Sequence, residues 1–258
     1  YWPDGSGGEL ATHLIVGLLR RQYEVAVVTG SPKAERHPGV EYIYEPLLSR
    51  EEKIFLWTSV ARLVHSDRFR KLLQDADVVY VPRFAFPVIP YAKKLGKKVV
   101  VHLHGYIPIS YTATVLAPYE KHKERIARDD IALECMKGPK HCAVAAIAWW
   151  LPKLTRKWLV QADEIICVSK RQADIILDAL PELREKIAVV YNPLPEEIVN
   201  VAPIKEPSDV PTFLYVGGDS YIKGFKILLW AIRLLDKERI KVKLILTNRY
   251  DEKSINII

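Results

Sequence analysis

Two glycine-rich stretches and one histidine pair hold the residue types that could handle a phosphorylated ligand. Gly5-Ser6-Gly7-Gly8-Glu9 opens directly into an amphipathic helix pattern. Glycine lets backbone N–H groups approach a ligand closely, and a helix N-terminus favours an anion. Gly217-Gly218-Asp219-Ser220-Tyr221-Ile222-Lys223-Gly224 again joins a strand pattern to a helix pattern, and Lys223 could reach a pyrophosphate as a point charge. The stretch departs from the Walker pattern, which wants Ser or Thr directly after the lysine. For each loop the alternative is a tight turn, the second with a solvated lysine. His102-Leu103-His104-Gly105 closes a strand pattern. Alternation sends both histidines to one face, but only the strand end opens toward a ligand. His104 is therefore the site candidate, and His102 reads as a buried, hydrogen-bonded histidine.

Cys135, His141 and Cys142 could ligate zinc, yet the set lacks a fourth ligand and the usual short spacing. A Cys135–Cys142 disulfide is the other possibility, and no metal site is expected. Cys167, inside a strand pattern, reads as core. Between Ala145 and Gln161 a helical wheel puts Ile147, Trp150, Leu151, Leu154 and Trp158 on one face. Lys153, Arg156 and Lys157 cluster on another, with Trp149 among them. Tryptophan amid cations beside an apolar stripe suits an anionic membrane surface, to be met by a 145–160 helix. The alternative is a core helix with a solvated basic side, kinked or started by Pro152.

These residues must be positioned by a sheet. Glu24 to Thr29, Asp77 to Val81, Lys98 to Leu103, Glu164 to Val168 and Ile187 to Val190 are short β-branched runs, apolar on both faces, as in parallel strands covered on each side. Helical patterns lie between them: Glu9 to Gln22, Glu51 to Gln74 and Lys170 to Leu180. The alternation predicts a doubly wound α/β fold. Five prolines between Asn192 and Pro211 mark an interdomain connection, after which strand Thr212 to Val216, helix Phe225 to Asp236 and strand Lys241 to Thr247 resume the rhythm. The expected division is a first domain over 1–195, a linker over 196–211 and the start of a second domain over 212–258. One βαβ unit buries too little to stand as a domain, so the second is expected to be incomplete. The first is expected to be clipped, since a glycine-rich turn normally follows a strand.

Composition sets the outer bounds. The 258 residues are 49% hydrophobic and 27% charged, which is ordinary for a globular chain and excludes disordered or fibrous classes. The longest apolar run, Ala143 to Leu151, has nine residues, while spanning a bilayer takes roughly 20. The opening residues carry no basic-then-apolar pattern, so no secretory leader is expected. Three cysteines make no disulfide framework, which points to a reducing cytoplasm. Of the net charge of +7, Ala92 to Val160 holds 13 Lys and Arg against 5 Asp and Glu. Such a confined basic region attracts phosphates. Nucleic acid is not expected, because no base-stacking or recognition module accompanies the charge.

In order along the chain, several motifs resemble the retaining glycosyltransferases of family 4, with the GT-B fold. They are Gly7-Gly8-Glu9 with its helix and Glu24-Val25-Ala26-Val27-Val28-Thr29; His104-Gly105; Ala162-Asp163-Glu164-Ile165-Ile166-Cys167-Val168-Ser169; Val190-Tyr191-Asn192-Pro193; and Leu214-Tyr215-Val216-Gly217 running to Lys223-Gly224. The resemblance implies two Rossmann-like domains and transfer of a sugar from a nucleotide-sugar donor, with retention, to a lipid-linked or polysaccharide acceptor. It implies no cofactor and no catalytic metal, and a cytoplasmic, peripheral location. By position, Gly7, Gly8, Gly217 and Gly218 would meet donor phosphates, His104 the transferred sugar, and Lys223 the leaving pyrophosphate, while Ser169 and Asn192 would line the cleft. Two departures stand out. Gly218 replaces an arginine usual in the family, and the family's paired-glutamate motif would fall beyond Ile258. Little transfer is therefore expected from these 258 residues alone. A non-catalytic nucleotide- or glycan-binding protein of the same fold is the alternative.

Overall fold

The computed structural model describes residues 1–5, 7–49, 52–115, 127–199, 209–218 and 223–247. Ser6, residues 219–222 of the second glycine loop and most of the proline-rich connection lie outside the described residues. The chain divides into two compact units, Tyr1–Val199 and Asn200–Ile258.

In the first unit, α1 (Gly7–Leu19) leads into β1 (Ala26–Thr29) and β2 (Glu41–Tyr44), which pair in parallel. Next come α2 (Lys53–Leu63), α3 (Asp67–Asp75), β3 (Val78–Pro82), α4 (Val88–Lys94) and β4 (Lys98–Leu103). Then follow α5 (Ala127–Cys135), α6 (Pro139–Ala148), α7 (Leu151–Leu159), β5 (Glu164–Cys167), α8 (Lys170–Ala179), β6 (Ile187–Val189) and α9 (Glu196–Val199). Strands β3-β4-β5-β6 form a four-stranded parallel sheet in chain order. Val99, Val101, His102 and Leu103 are all buried on β4, as a parallel strand with both faces covered requires. The fold is the mixed α/β, Rossmann-like arrangement with parallel sheets.

The core lies against this sheet. Phe86, Ile89, Leu103, Ile107, Leu151, Leu159, Ile165 and Ile176 are essentially inaccessible. Trp57 on α2 donates its indole N–H to the Phe84 carbonyl at 2.7 Å and packs edge-on against Trp158 on α7, centroids 4.9 Å apart. Cys167 is buried and free, its thiol pushed up to about 12 by burial.

Several expectations change. The helix expected over Glu51 to Gln74 is two. Ser66 donates to the Leu63 carbonyl, ending α2, and accepts from the Phe69 N–H, capping α3. The helix expected through 145–160 is also broken, at Trp149 and Trp150. Pro152 stands second in α7 and has no N–H for the carbonyl of Ala148, so the helix restarts at Leu151. The restart turns Ile147 and Trp150 outward, away from the buried Leu151 with which the wheel had grouped them. Strand β2 escapes the pattern because only Ile43 of its four residues is buried. Cys135 and Cys142 form a disulfide between α5 and α6, not a zinc site, and this removes one support for a reducing compartment.

The second unit holds β7 (Thr212–Tyr215), α10 (Phe225–Lys237) and β8 (Lys243–Leu246), with β7 and β8 paired in parallel. The division between the units falls inside the proline-rich connection.

Candidate functional site

The carboxyl ends of β3 and β4 and the N-terminus of α1 converge on one place, as parallel α/β folds usually arrange their sites. A cavity of about 110 Å³ is lined there by Gly8, Arg83, His104 and Gly105, with Phe84, Phe86, Leu103 and Ile107 as its apolar wall. A Cβ placed on Gly8 would sit 3.6 Å from both the Arg83 guanidinium and the His104 ring. A Cβ on Gly7 would meet nothing within 4 Å. The fold therefore has room for a side chain at both positions, and packing does not explain why glycine occupies them.

Arg83 was not singled out by motif, although it follows directly on a strand end. Its backbone has φ 67°, a left-handed conformation uncommon for a residue with a side chain. Its N–H bonds the His102 carbonyl at 3.3 Å, which fixes the turn against β4. The guanidinium ion-pairs with Glu9 in the first turn of α1 and lies 5.3 Å from the centroid of Phe84. Lys53 approaches the same ring at 5.7 Å and Tyr111 at 4.6 Å, its ammonium pKa lowered by burial. Gly105 is needed for close approach, since a Cβ there would stand 3.0 Å from the Ala113 carbonyl oxygen. The loop from Gly105 to Ala113 is held from below by buried Asp130, which accepts from Ser110 Oγ at 2.7 Å and the Tyr111 N–H at 2.8 Å.

The two histidines differ in surroundings. His102 is 1% exposed, and its Nδ1 lies 2.5 Å from the Tyr80 hydroxyl. Burial raises the tyrosine pKa, so Tyr80 keeps its proton, and the two groups share one hydrogen bond whose donor is set by the His102 tautomer. Burial, then the neighbouring His104, pushes His102 down to about 4. His104 packs against it at a tilt of 33°, centroids 4.3 Å apart, and lines the cavity. Burial and the Arg83 charge lower the His104 pKa as well, so both rings are neutral at neutral pH. The Nε2 atoms of both are buried without a hydrogen-bond partner among the described residues. A buried polar nitrogen left unpaired costs about 1–3 kcal/mol, and a ligand hydroxyl at His104 would relieve it.

The remaining candidates are dispersed. Ser169 caps α8 by accepting from the Gln172 N–H at 3.1 Å, and Gln172 reaches the Gly105 carbonyl at 3.4 Å. Ser169 thus touches the site only through its neighbour. Asn192 is exposed beyond β6. Gly217, Gly218 and Lys223 belong to the second unit. There the Tyr215 hydroxyl bonds the carbonyls of Gly218 at 3.0 Å and Lys223 at 3.2 Å, drawing together the two ends of the loop. Lys223 is exposed, and Gly224 caps α10 with φ 77°. Among the described residues no group of His, Cys, Asp and Glu could hold a metal ion, and no helix is long and apolar enough to cross a membrane.

A protein-family model described as Glycosyltransferase Family 4 matches residues 7–197, which takes in every residue of this cavity. No curated protein matches the chain.

Proposed function

We propose a retaining sugar transferase, starting from the premise that the chain belongs to Glycosyltransferase Family 4. The donor is a nucleotide sugar. Its phosphates meet the backbone N–H groups at the start of α1, and the transferred sugar meets His104. The bond from the anomeric carbon to the phosphate oxygen breaks and one to an acceptor oxygen forms on the same face, the acceptor's hydroxyl proton leaving with the departing phosphate. Charge grows on that phosphate, and preorganised amides with a nearby cation stabilise it. Arg83 is the cation within the described site, and Lys223 is assigned the pyrophosphate by its place in the second loop. Ser169 and Asn192 are assigned to the rim. The reading asks for no resident cofactor or metal.

The observation that carries this reading is the pair of glycines at Gly7 and Gly8, where the fold leaves room for a side chain beside His104 and Arg83. The acceptor is a lipid-linked or polysaccharide chain, favoured by the basic region from Ala92 to Val160, and the protein works on the cytoplasmic side of a membrane. A thermal-shift screen of the full-length protein against UDP, GDP, ADP and their sugars tests the donor. One nucleotide family should stabilise the protein, by about 2.7 kcal/mol at 100-fold excess over its Kd. No shift with any of them would remove the reading.

A second reading, a binding protein of the same fold without transfer, is favoured by Gly218, which stands where the family usually has arginine. Donor binding without transfer or hydrolysis would select it.

A further inference from the structure

The corner between α6 and α7 joins exposed tryptophans to a stretch of chain that has no carboxylate. From Met136 through Gln161 there is no Asp or Glu, while Lys137, Lys140, Lys153, Arg156 and Lys157 all fall within it. Three of these cations are engaged. Lys137 pairs with Glu134 at 2.8 Å, Lys140 lies 4.0 Å from Glu52, and Arg156 donates to the Pro108 carbonyl at 2.6 Å. Lys153 and Lys157 are exposed, and no carboxylate stands within ion-pair distance of either among the described residues. Next to them, past Lys140 and His141, the outer face of the C-terminal half of α6 shows only alkyl side chains. Ala145 and Ala148 point to the core, whereas Ala143, Ala146 and Ile147 point outward, Ile147 at 68% exposure. Trp149 and Trp150 continue this surface, each 41% exposed. The Trp150 indole N–H is already used on the Ile147 carbonyl at 2.9 Å, so the outward part of that ring is apolar. The Lys153 ammonium lies 5.2 Å from the Trp149 ring centroid.

A solvated helix puts polar groups on its outer face. A helix end faced with alanine, isoleucine and two tryptophans, followed by two lysines that have no carboxylate partner among the described residues and stand on long apolar stems, matches the headgroup boundary of a bilayer. We propose that the α6–α7 corner docks on an anionic phospholipid surface, with Ile147, Trp149 and Trp150 inserted among the upper acyl carbons and Lys153 and Lys157 at the lipid phosphates. The contact is made by the broken corner and not by one face of a continuous helix. A second copy of the chain fits poorly, since a two-fold contact through this patch would bring Lys153 and Lys157 of one copy toward those of the other. The proposal depends on the charge and exposure of this corner and not on sugar transfer.

Vesicle sedimentation of the whole chain tests it without any donor or acceptor. Vesicles of phosphatidylcholine with phosphatidylglycerol should pellet the protein, pure phosphatidylcholine should pellet much less, and added salt should weaken the binding. Lys153→Glu with Lys157→Glu should lower the anionic partition coefficient about tenfold or more. Brominated acyl chains should quench tryptophan fluorescence, and Trp149→Ser with Trp150→Ser should remove most of that quenching. If the tryptophan pair variant does not fold, as judged by circular dichroism, the surface lysine variant still decides. Equal binding to both vesicle types, or unchanged binding by the lysine variant, would overturn the proposal. So would absence of vesicle binding together with dimers in sedimentation velocity that Ile147→Ser dissolves.

Discussion

At the start of α1 a Cβ on Gly7 would meet nothing within 4 Å, while in the second unit a Cβ on Gly217 would come within 3.0 Å of the Tyr215 hydroxyl. The two glycine turns look alike in sequence, and Gly5 of the first, with φ 124°, is required by local geometry, yet Gly7 and Gly8 are there for a different reason from the glycines of the second. In the second, Gly224 holds a left-handed φ of 77° and Tyr215 bonds two carbonyls of the loop, so local geometry accounts for the residues. In the first, neither Gly7 nor Gly8 has positive φ or a packing constraint, and the space they leave adjoins His104 and Arg83. A glycine that the fold does not need is better evidence of a ligand than one that it does. The surroundings differ too. Beneath the first turn lies a filled core, whereas in the second unit Val216 is 72% and Trp230 65% exposed, the two strands and one helix among its described residues being too few to cover both sheet faces.

This contrast can be tested, beginning with the layer under the first turn. An unfolded histidine takes up a proton near pH 6.5, and folded His102 does so only near pH 4. Its burial therefore leaves stability complete above about pH 6.5 and lowers it as pH falls toward about 4, by ~3 kcal/mol in all. Urea melts across that window should show the loss, and His102→Gln should flatten the profile. A wild-type profile already flat would show that the histidine layer is open to water.

Gly8→Ala comes next in size. It should weaken donor binding tenfold or more, about 1.4 kcal/mol, read as a lost thermal shift with the nucleotide the screen identifies. The melting temperature of the free protein should hold or rise, since alanine is the better helix former by up to ~1 kcal/mol. An undiminished donor shift would make the first turn as structural as the second. The smallest effect is expected at Gly224→Ala, where a side chain is forced into the left-handed region at a cost of about 1 kcal/mol. Hydrogen exchange at the Leu228 amide, which bonds the Gly224 carbonyl at 3.0 Å, should speed up without change in the first unit.

Legibility in the sequence followed the range of the interactions. Lys98–Leu103 forms a strand as expected, because a β-branched run declares its burial locally. The break at Ser66 was equally local, since a serine before an acid-led helix turn is a capping signal, but a continuous apolar stripe concealed it. Pro152 was noticed as a possible start, yet the outward turn of Ile147 and Trp150 depended on how α6 and α7 pack.

By itself the sequence determined the alternation of strands and helices and the two glycine turns, and it marked His104 rather than His102 as the site candidate. Each of these follows from period and propensity over a few residues. Only the tertiary structure brought Gly8, Arg83 and His104 to one cavity, paired Arg83 with Glu9, and set Arg83 in its left-handed turn against β4. These features depend on the parallel register of β3 with β4 and on the packing of α1. Such contacts arise between segments far apart in the chain, where no local pattern records the pairing.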